Sequence, residues 1–333
     1  MSQDTGQARL PAQERRRLTD AEPEPLEGFL ARHGLEVVDV LPSAGHSGRR
    51  LLLAPLGTTR PTTAVAIADA HDSRRAADNE QNVLLRLRAG AGRELTDTIP
   101  RILQRVSTSC SAVGLVVALP KAPHGHDSVD RGRTGNQSVL LMLKAVDAWL
   151  ELLASETGGV DVRPVHVGTA GVRWLTNLYP DSRMGAGLDG IIRAQRLMSV
   201  HDVRRSAVHG CLCPRHVSVS GDRMVAVDDW GMATTDGDPL VDLGGFAVRL
   251  AGDRLGEVLD GRTTFARTLR SFVTAGLTRL GIPGRLWREL LLLAQVDRAH
   301  YAAGRSDADP SLLITNLARD VRVARHGEET RKP

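Results

Sequence analysis

The groups that could do chemistry together are concentrated between positions 209 and 242. His209, Cys211, Cys213 and His216 follow the pattern H-x-C-x-C-x-x-H, and Asp228, Asp229 and Asp242 come shortly after. Imidazoles and thiols at that density are suitable donors for a borderline-soft cation such as zinc, although the spacing matches no common zinc module. The plainer reading of Cys211 is a small buried thiol, because free cysteine behaves as a modest hydrophobe unless its surroundings lower its pKa. Both readings stand on the residues alone.

The wider run is more specific than its pieces. It reads His209-Gly210-Cys211-Leu212-Cys213-Pro214-Arg215-His216, then Val227-Asp228-Asp229-Trp230-Gly231, then Gly237-Asp238-Pro239-Leu240-Val241-Asp242-Leu243. This layout resembles the aminoglycoside phosphotransferase and choline kinase group, whose catalytic loop reads H-G-D-x-x-x-x-N and whose metal segment is followed by G-D-P-x-x-D. The resemblance puts Cys211 at the family's catalytic Asp, the group that accepts the hydroxyl proton in phosphoryl transfer. His216 falls at the metal-binding Asn. Asp229 matches the metal-bridging Asp and is intact, and Asp242 matches a structural carboxylate. His209, facing inward, is expected to tie the loop to nearby carbonyls, and Trp230 to pack beneath the cleft.

The implied fold class is α+β, a two-lobed protein-kinase-like fold with a small β-rich N-lobe and a larger helical C-lobe. Residues 1–24 and 326–333 read as tails, 25–120 as an N-lobe of antiparallel sheet plus one helix, 121–136 as a hinge, and 137–325 as the C-lobe. The catalytic-loop-like segment spans 207–243. In the N-lobe, Val37–Leu41 and Leu51–Ala54 read as strands flanking the turn Ala44-Gly45-His46-Ser47-Gly48. Gly45, Ser47 and Gly48 are the candidates to let backbone N–H groups approach phosphate, although the same pattern marks any hairpin. The strand Ala64–Asp69 corresponds to the one that ends in a phosphate-gripping Lys in related kinases, yet the first lysine of the chain is Lys121. Glu80, on a helix with Val83, Leu84 and Leu87, resembles that lysine's partner; without it, the residue reads as a solvated helix charge.

Further along, Ile99–Leu103 and Ser111–Pro120 are expected strands, 137–156 a long helix, and 239–250, 262–280, 285–303 and 310–325 later helices of an all-helical lower lobe. The family builds its acceptor pocket from a variable segment, here about 160–200, with Arg163, His166, Arg173, Trp174, Tyr179, Asp181 and Arg193 as a mixed polar set compatible with an anionic ligand.

Composition narrows the classes. At 333 residues with 41% hydrophobic and 3% aromatic residues, the chain can bury a sizeable core built on Leu, Val and Ala. A formal net charge of +4 gives no support for nucleic-acid binding, and no apolar run is long enough for a membrane span. Three cysteines make no paired framework and no leader precedes them, so a reducing cytoplasmic setting is expected.

A general base contributes roughly 10²–10⁴ in rate, so loss of base, amide and lysine in one cleft argues against efficient phosphoryl transfer. The expectation is a pseudokinase that binds a peptide, metabolite or partner protein, with ATP and Mg²⁺ in doubt. The alternatives are a divergent ATP-dependent phosphotransferase acting on a hydroxyl, and a metal-binding protein using His209, Cys211, Cys213 and His216.

Overall fold

A computed structural model of the chain describes residues 24–42, 48–59, 61–68, 73–107, 113–119, 136–179 and 186–303. The N-terminal part runs β1 (Glu24–Pro25), α1 (Leu26–His33), β2 (Leu35–Pro42), β3 (Gly48–Pro55), β4 (Thr63–Ala68), α2 (Ser73–Gly90), α3 (Arg93–Thr96), β5 (Arg101–Ser107) and β6 (Val113–Ala118). Its six strands form one sheet in the order β1-β5-β6-β4-β3-β2, antiparallel throughout except where β1 runs parallel to β5. Strands with side chains alternating between two faces explain why β6 is an unbroken apolar run: both of its faces are covered. Val116 joins Leu53, Val65 and Val106 beneath Leu26 and Phe29 of α1. Leu115 and Val117 join Ala77, Val83, Leu84 and Leu87 of α2 in the main core. The N-lobe therefore carries two short helices, α1 and α3, beside the long α2, and one parallel pair, where an antiparallel sheet with one helix was expected. The parallel pair and α1 lie at its start, where a two-residue strand leaves little periodicity to read.

The C-terminal part continues α4 (Asn136–Thr157), β7 (Val162–Pro164), α5 (Thr169–Leu178), α6 (Ala186–Ser199), β8 (Asp202–Arg204), β9 (Ser206–Val208), β10 (Val217–Ser220), β11 (Arg223–Val227), β12 (Thr234–Gly237), α7 (Leu240–Ala251), α8 (Leu255–Asp260), α9 (Thr264–Arg279) and α10 (Trp287–Ala303). This lobe is not all-helical: β7 pairs with β8, β9 with β12 and β10 with β11. The three short pairs are what hold the loop segments in place. Helices α4, α7, α9 and α10 enclose an apolar interior of Val146, Leu153, Leu243, Phe246, Phe272, Leu290 and Val296. Close approach of α5 to α10 depends on Gly171, where a Cβ would press on Val296. The chain thus forms a curled sheet lobe on a larger helical lobe, and no helix among the described residues is long and apolar enough to cross a membrane. The expected helix at 310–325, the hinge at 121–135 and the tails fall outside the described residues.

Candidate active site

The loop between β9 and β10 is held by one buried carboxylate. Asp242, in the first turn of α7, accepts hydrogen bonds from the backbone N–H groups of His209 (2.6 Å) and Gly210 (2.8 Å). Gly210 has a φ of +81°, and a Cβ there would run into the Met232 carbonyl, so only glycine fits. The fully buried His209 ring places Nε2 at 2.7 Å from the Asp228 carbonyl. A carbonyl oxygen can only accept, so Nε2 carries the proton and Nδ1 presents its lone pair. Burial lowers the His209 pKa, which keeps the ring neutral.

Cys211 lies against that lone pair. Its Sγ is 3.5 Å from His209 Nδ1 and 3.6 Å from the Asp229 carbonyl, with 2% of the residue exposed. Burial first, and the Asp229 carboxylate second, push the thiol pKa well above its ordinary value, so the group is protonated at neutral pH. His216, at the end of a single 3₁₀ turn, brings Nε2 to 3.5 Å from Asp229 Oδ2, and both side chains are buried. Asp229 is the one non-glycine residue with positive φ among those described, at φ 63° and ψ 64°. Such a conformation costs on the order of 1–3 kcal/mol and persists only where the surroundings impose it. Its backbone N–H bonds to Asp228 Oδ1 at 2.8 Å, and Trp230 packs its ring 5.0 Å from that of His209.

The N-lobe reaches this segment through α2. Asn79 Nδ2 donates to the carbonyls of Gly231 (3.0 Å) and Ala233 (2.9 Å), and the Trp230 N–H points to Glu80 Oε1 at 3.4 Å. Glu80 is 2% exposed, which corrects its reading as a solvated helix charge. The lysine-bearing position of related kinases has no counterpart here: β4 reads Thr-Ala-Val-Ala-Ile-Ala. Gly45 and Ser47 lie outside the described residues, and Gly48 opens β3 opposite Ala68.

Cys211, His216, His209 and Asp229 therefore converge, whereas Cys213 does not join them. Ligand atoms of His209, Cys211 and His216 lie within 4.8 Å of one another, all buried. The buried Cys213 instead caps the 3₁₀ turn, its carbonyl accepting from the His216 N–H at 2.9 Å.

Beside Cys211 opens a cavity of about 240 Å³ lined by Gly210, Met232, His166, Arg249, Asp297, Arg298 and His300 among others. Of the residues expected to build an acceptor pocket, only His166 lines it. Trp174 touches its edge through the His300 ring, 5.6 Å away. Arg163 is paired with Asp161 and Asp236 on the outside, Arg173 and Arg193 are exposed, Tyr179 is half-buried away from the cavity, and Asp181 lies outside the described residues. The residues that sequence reading missed come from α7 and α10. The run Asp297-Arg298-Ala299-His300-Tyr301 was the available signal, a polar cluster inside a helix otherwise patterned as core. Asp297 accepts from the N–H groups of Gly168 (2.7 Å) and Gly171 (3.2 Å), and the larger cavity of about 680 Å³ beside α4 touches none of these groups.

Comparison with solved structures decides the architecture. A thermostable mutant of aminoglycoside phosphotransferase APH(4)-Ia, in complex with ADP and hygromycin B, superposes with a TM-score of 0.56 at 17% identity, covering 89% of this chain and 97% of that one. This is a protein-kinase-like fold. ADP-bound APH(2'')-Ib gives 0.53 at 12% identity over 90% and 97% of the two chains, and the GDP and kanamycin complex of a third such enzyme gives 0.52 at 14% over 92% and 99%. No family model and no curated protein sequence matches the chain. At such identities the likeness establishes the fold alone.

Those neighbours hold ADP or GDP, and the donors of this chain can be tested against the Mg²⁺ that accompanies a nucleotide in phosphoryl transfer. Mg²⁺ demands oxygen ligands in near-octahedral geometry. Here the Asp229 carboxylate lies 3.5 Å from the His216 imidazole, the Cys211 thiol sits on the Asp229 backbone carbonyl, and β4 carries no lysine or arginine. The donor set does not fit magnesium.

Proposed function

We propose that the chain is a pseudokinase: a kinase-like fold that binds a small molecule without phosphoryl transfer. The observation that carries this reading is Cys211. The residue at the position of the proton acceptor is a buried thiol whose pKa is raised by desolvation, so it holds a proton where the reaction needs a base. The neighbouring cavity supports a ligand of anionic character. Arg249 and Arg298 both line it, and among the described residues neither guanidinium has a carboxylate within salt-bridge distance. Burial and then the field of Arg249 lower the Arg298 pKa, the mark of two cations held close together. A peptide or partner protein, also conceivable for such a cleft, has less to recommend it than a compact ligand in a 240 Å³ recess.

A divergent ATP-dependent phosphotransferase is the second reading, favoured by the retained and strained Asp229 and the buried Glu80 at its side. One assay separates the two. The purified chain is incubated with Mg²⁺-ATP and hydroxyl acceptors, both aminoglycosides and anionic metabolites, and product is followed by mass spectrometry. No product above the level of an Asp229→Ala variant is expected. ATP-dependent phosphorylation abolished in that variant sinks the pseudokinase reading. In parallel, a thermal shift with small anions reads the cavity through ligand mass action, and Arg298→Ala is expected to remove that shift.

A further inference from the structure

We propose that His209, Cys211 and His216, with Asp229 behind them, form a binding site for a zinc-class divalent cation in the place where a kinase would keep its base and magnesium ligands. Four observations converge on it. First, one ligand atom from each of the three residues lies within 4.8 Å of the other two, a separation that a shared tetrahedral ion closes with sub-ångström shifts. Second, His209 already holds the tautomer a ligand needs. Its Nε2–H is given to the Asp228 carbonyl at 2.7 Å and its Nδ1 faces Cys211 Sγ at 3.5 Å. A ligating imidazole that donates its other N–H to a backbone carbonyl is the usual outer arrangement of metal sites, fixing ring orientation and raising basicity.

Third, the charges close. The ion displaces the Cys211 thiol proton to solvent, leaving a thiolate. With two neutral imidazoles and the Asp229 carboxylate 3.5 Å from His216 Nε2, the +2 of the metal is balanced inside a site whose residues are at most 7% exposed. Fourth, the donor types select. Thiolate and imidazole favour zinc, cobalt or copper over magnesium.

The site differs from the fourfold set suggested by the sequence pattern. Cys213 is only two residues from Cys211, yet its sulfur is not among the ligand atoms that lie within 4.8 Å of one another. A three-residue donor set leaves a coordination position for water or a ligand, the arrangement of a reactive zinc and not of a closed structural one. Because Cys211 also lines the 240 Å³ cavity, an anion held there by Arg249 and Arg298 has a route to that position.

The test uses the full chain, freed of metal and then titrated with Co²⁺ and Zn²⁺. One equivalent of either ion is expected, and the cobalt form should show a thiolate-to-cobalt charge-transfer band with intense tetrahedral ligand-field absorption. Cys211→Ser and His216→Asn should each weaken zinc by more than about 100-fold, beyond the 10–100-fold typical of an outer partner and expected for Asp229→Asn. Cys213→Ser should stay within about threefold of the wild type, since that thiol is no ligand. Absence of the charge-transfer band, or equal loss of metal in Cys213→Ser, overturns the site. If Cys211→Ser fails to fold, the cobalt spectrum of the wild-type chain decides by itself. Metal content and phosphoryl transfer are read separately, so the failure of one reading leaves the other standing.

Discussion

The loop segment of the helical lobe and the hairpin of the sheet lobe are built in opposite ways. The segment from β9 to α7 is clasped from several sides by buried and half-buried side chains. Asp242 holds the His209 and Gly210 N–H groups, Asp238 accepts from His166 and Leu240, and Asn79 holds the Gly231 and Ala233 carbonyls. The hairpin β2–β3 and its neighbour β4 are held by their own ladder, with Val37 and Val40 exposed at 42% and 47%, and β4 carries no cation. Such a framework is indifferent to which side chains face the cleft, because the clasps bond to backbone.

The sharpest way to break this comparison is to remove a clasp. Asp242→Ala strands two buried N–H donors, each worth about 1–3 kcal/mol when left unsatisfied, so a loss of about 2–6 kcal/mol is expected in the unfolding free energy measured with urea. A loss under about 1 kcal/mol would mean that the loop is held by something else. Gly210→Ala comes next, at about 2–4 kcal/mol, because a left-handed backbone and the Met232 carbonyl oppose the added methyl together. Asn79→Ala should cost about 1–3 kcal/mol through two lost hydrogen bonds between the lobes. Hydrogen exchange at Gly231–Ala233 should rise in that variant while exchange in α9 stays unchanged.

Much of this framework was legible in the sequence for a physical reason. The His-Gly at 209–210, the Asp-Trp at 229–230 and the Gly-Asp-Pro-x-x-Asp run sit at turn and helix-start positions, where only particular residues satisfy the backbone. The cavity was not legible in the same way. Arg249, Asp297, Arg298 and His300 belong to helices whose apolar period reads as core, and their meeting depends on how α7 and α10 cross. The expected segment around 160–200 lines the cavity with His166, Val167 and Ala170 but none of its arginines, because Arg173, Arg193 and Arg196 on α5 and α6 are exposed. Glu80 was misread as solvated because the sequence cannot show that the Trp230 backbone lies over it.

A pH experiment sharpens the comparison on a third clasp. Asp297 accepts two backbone N–H groups on α5, and burial raises its pKa above the ordinary 3.8, with those hydrogen bonds opposing the shift. The folded state therefore holds its proton more tightly than the unfolded chain. This cost to stability is absent below about pH 3.8 and grows as pH rises to the folded pKa, with a slope of at most about 1.4 kcal/mol per unit. Measured by urea unfolding, the advantage of the wild type over Asp297→Asn should shrink as pH rises above about 4. An advantage that grows with pH would show that the hydrogen bonds to Gly168 and Gly171 outweigh desolvation.

The smallest effect is the most discriminating control. Arg86 also crosses between the lobes, its Nη1 lying 3.3 Å from Thr235 Oγ1, but the contact is exposed. Water replaces an exposed hydrogen bond almost in full, so Arg86→Ala should stay within about 0.5 kcal/mol of the wild type. Asn79 and Arg86 lie two turns apart on α2, and both reach the stretch from Gly231 to Thr235. If their variants differ as expected, shielding of the clasp from water, and not mere contact between the lobes, is what keeps the cleft assembled. Equal losses at the two positions would instead assign that work to α2 as a whole, through its packing on the segment that follows Asp229.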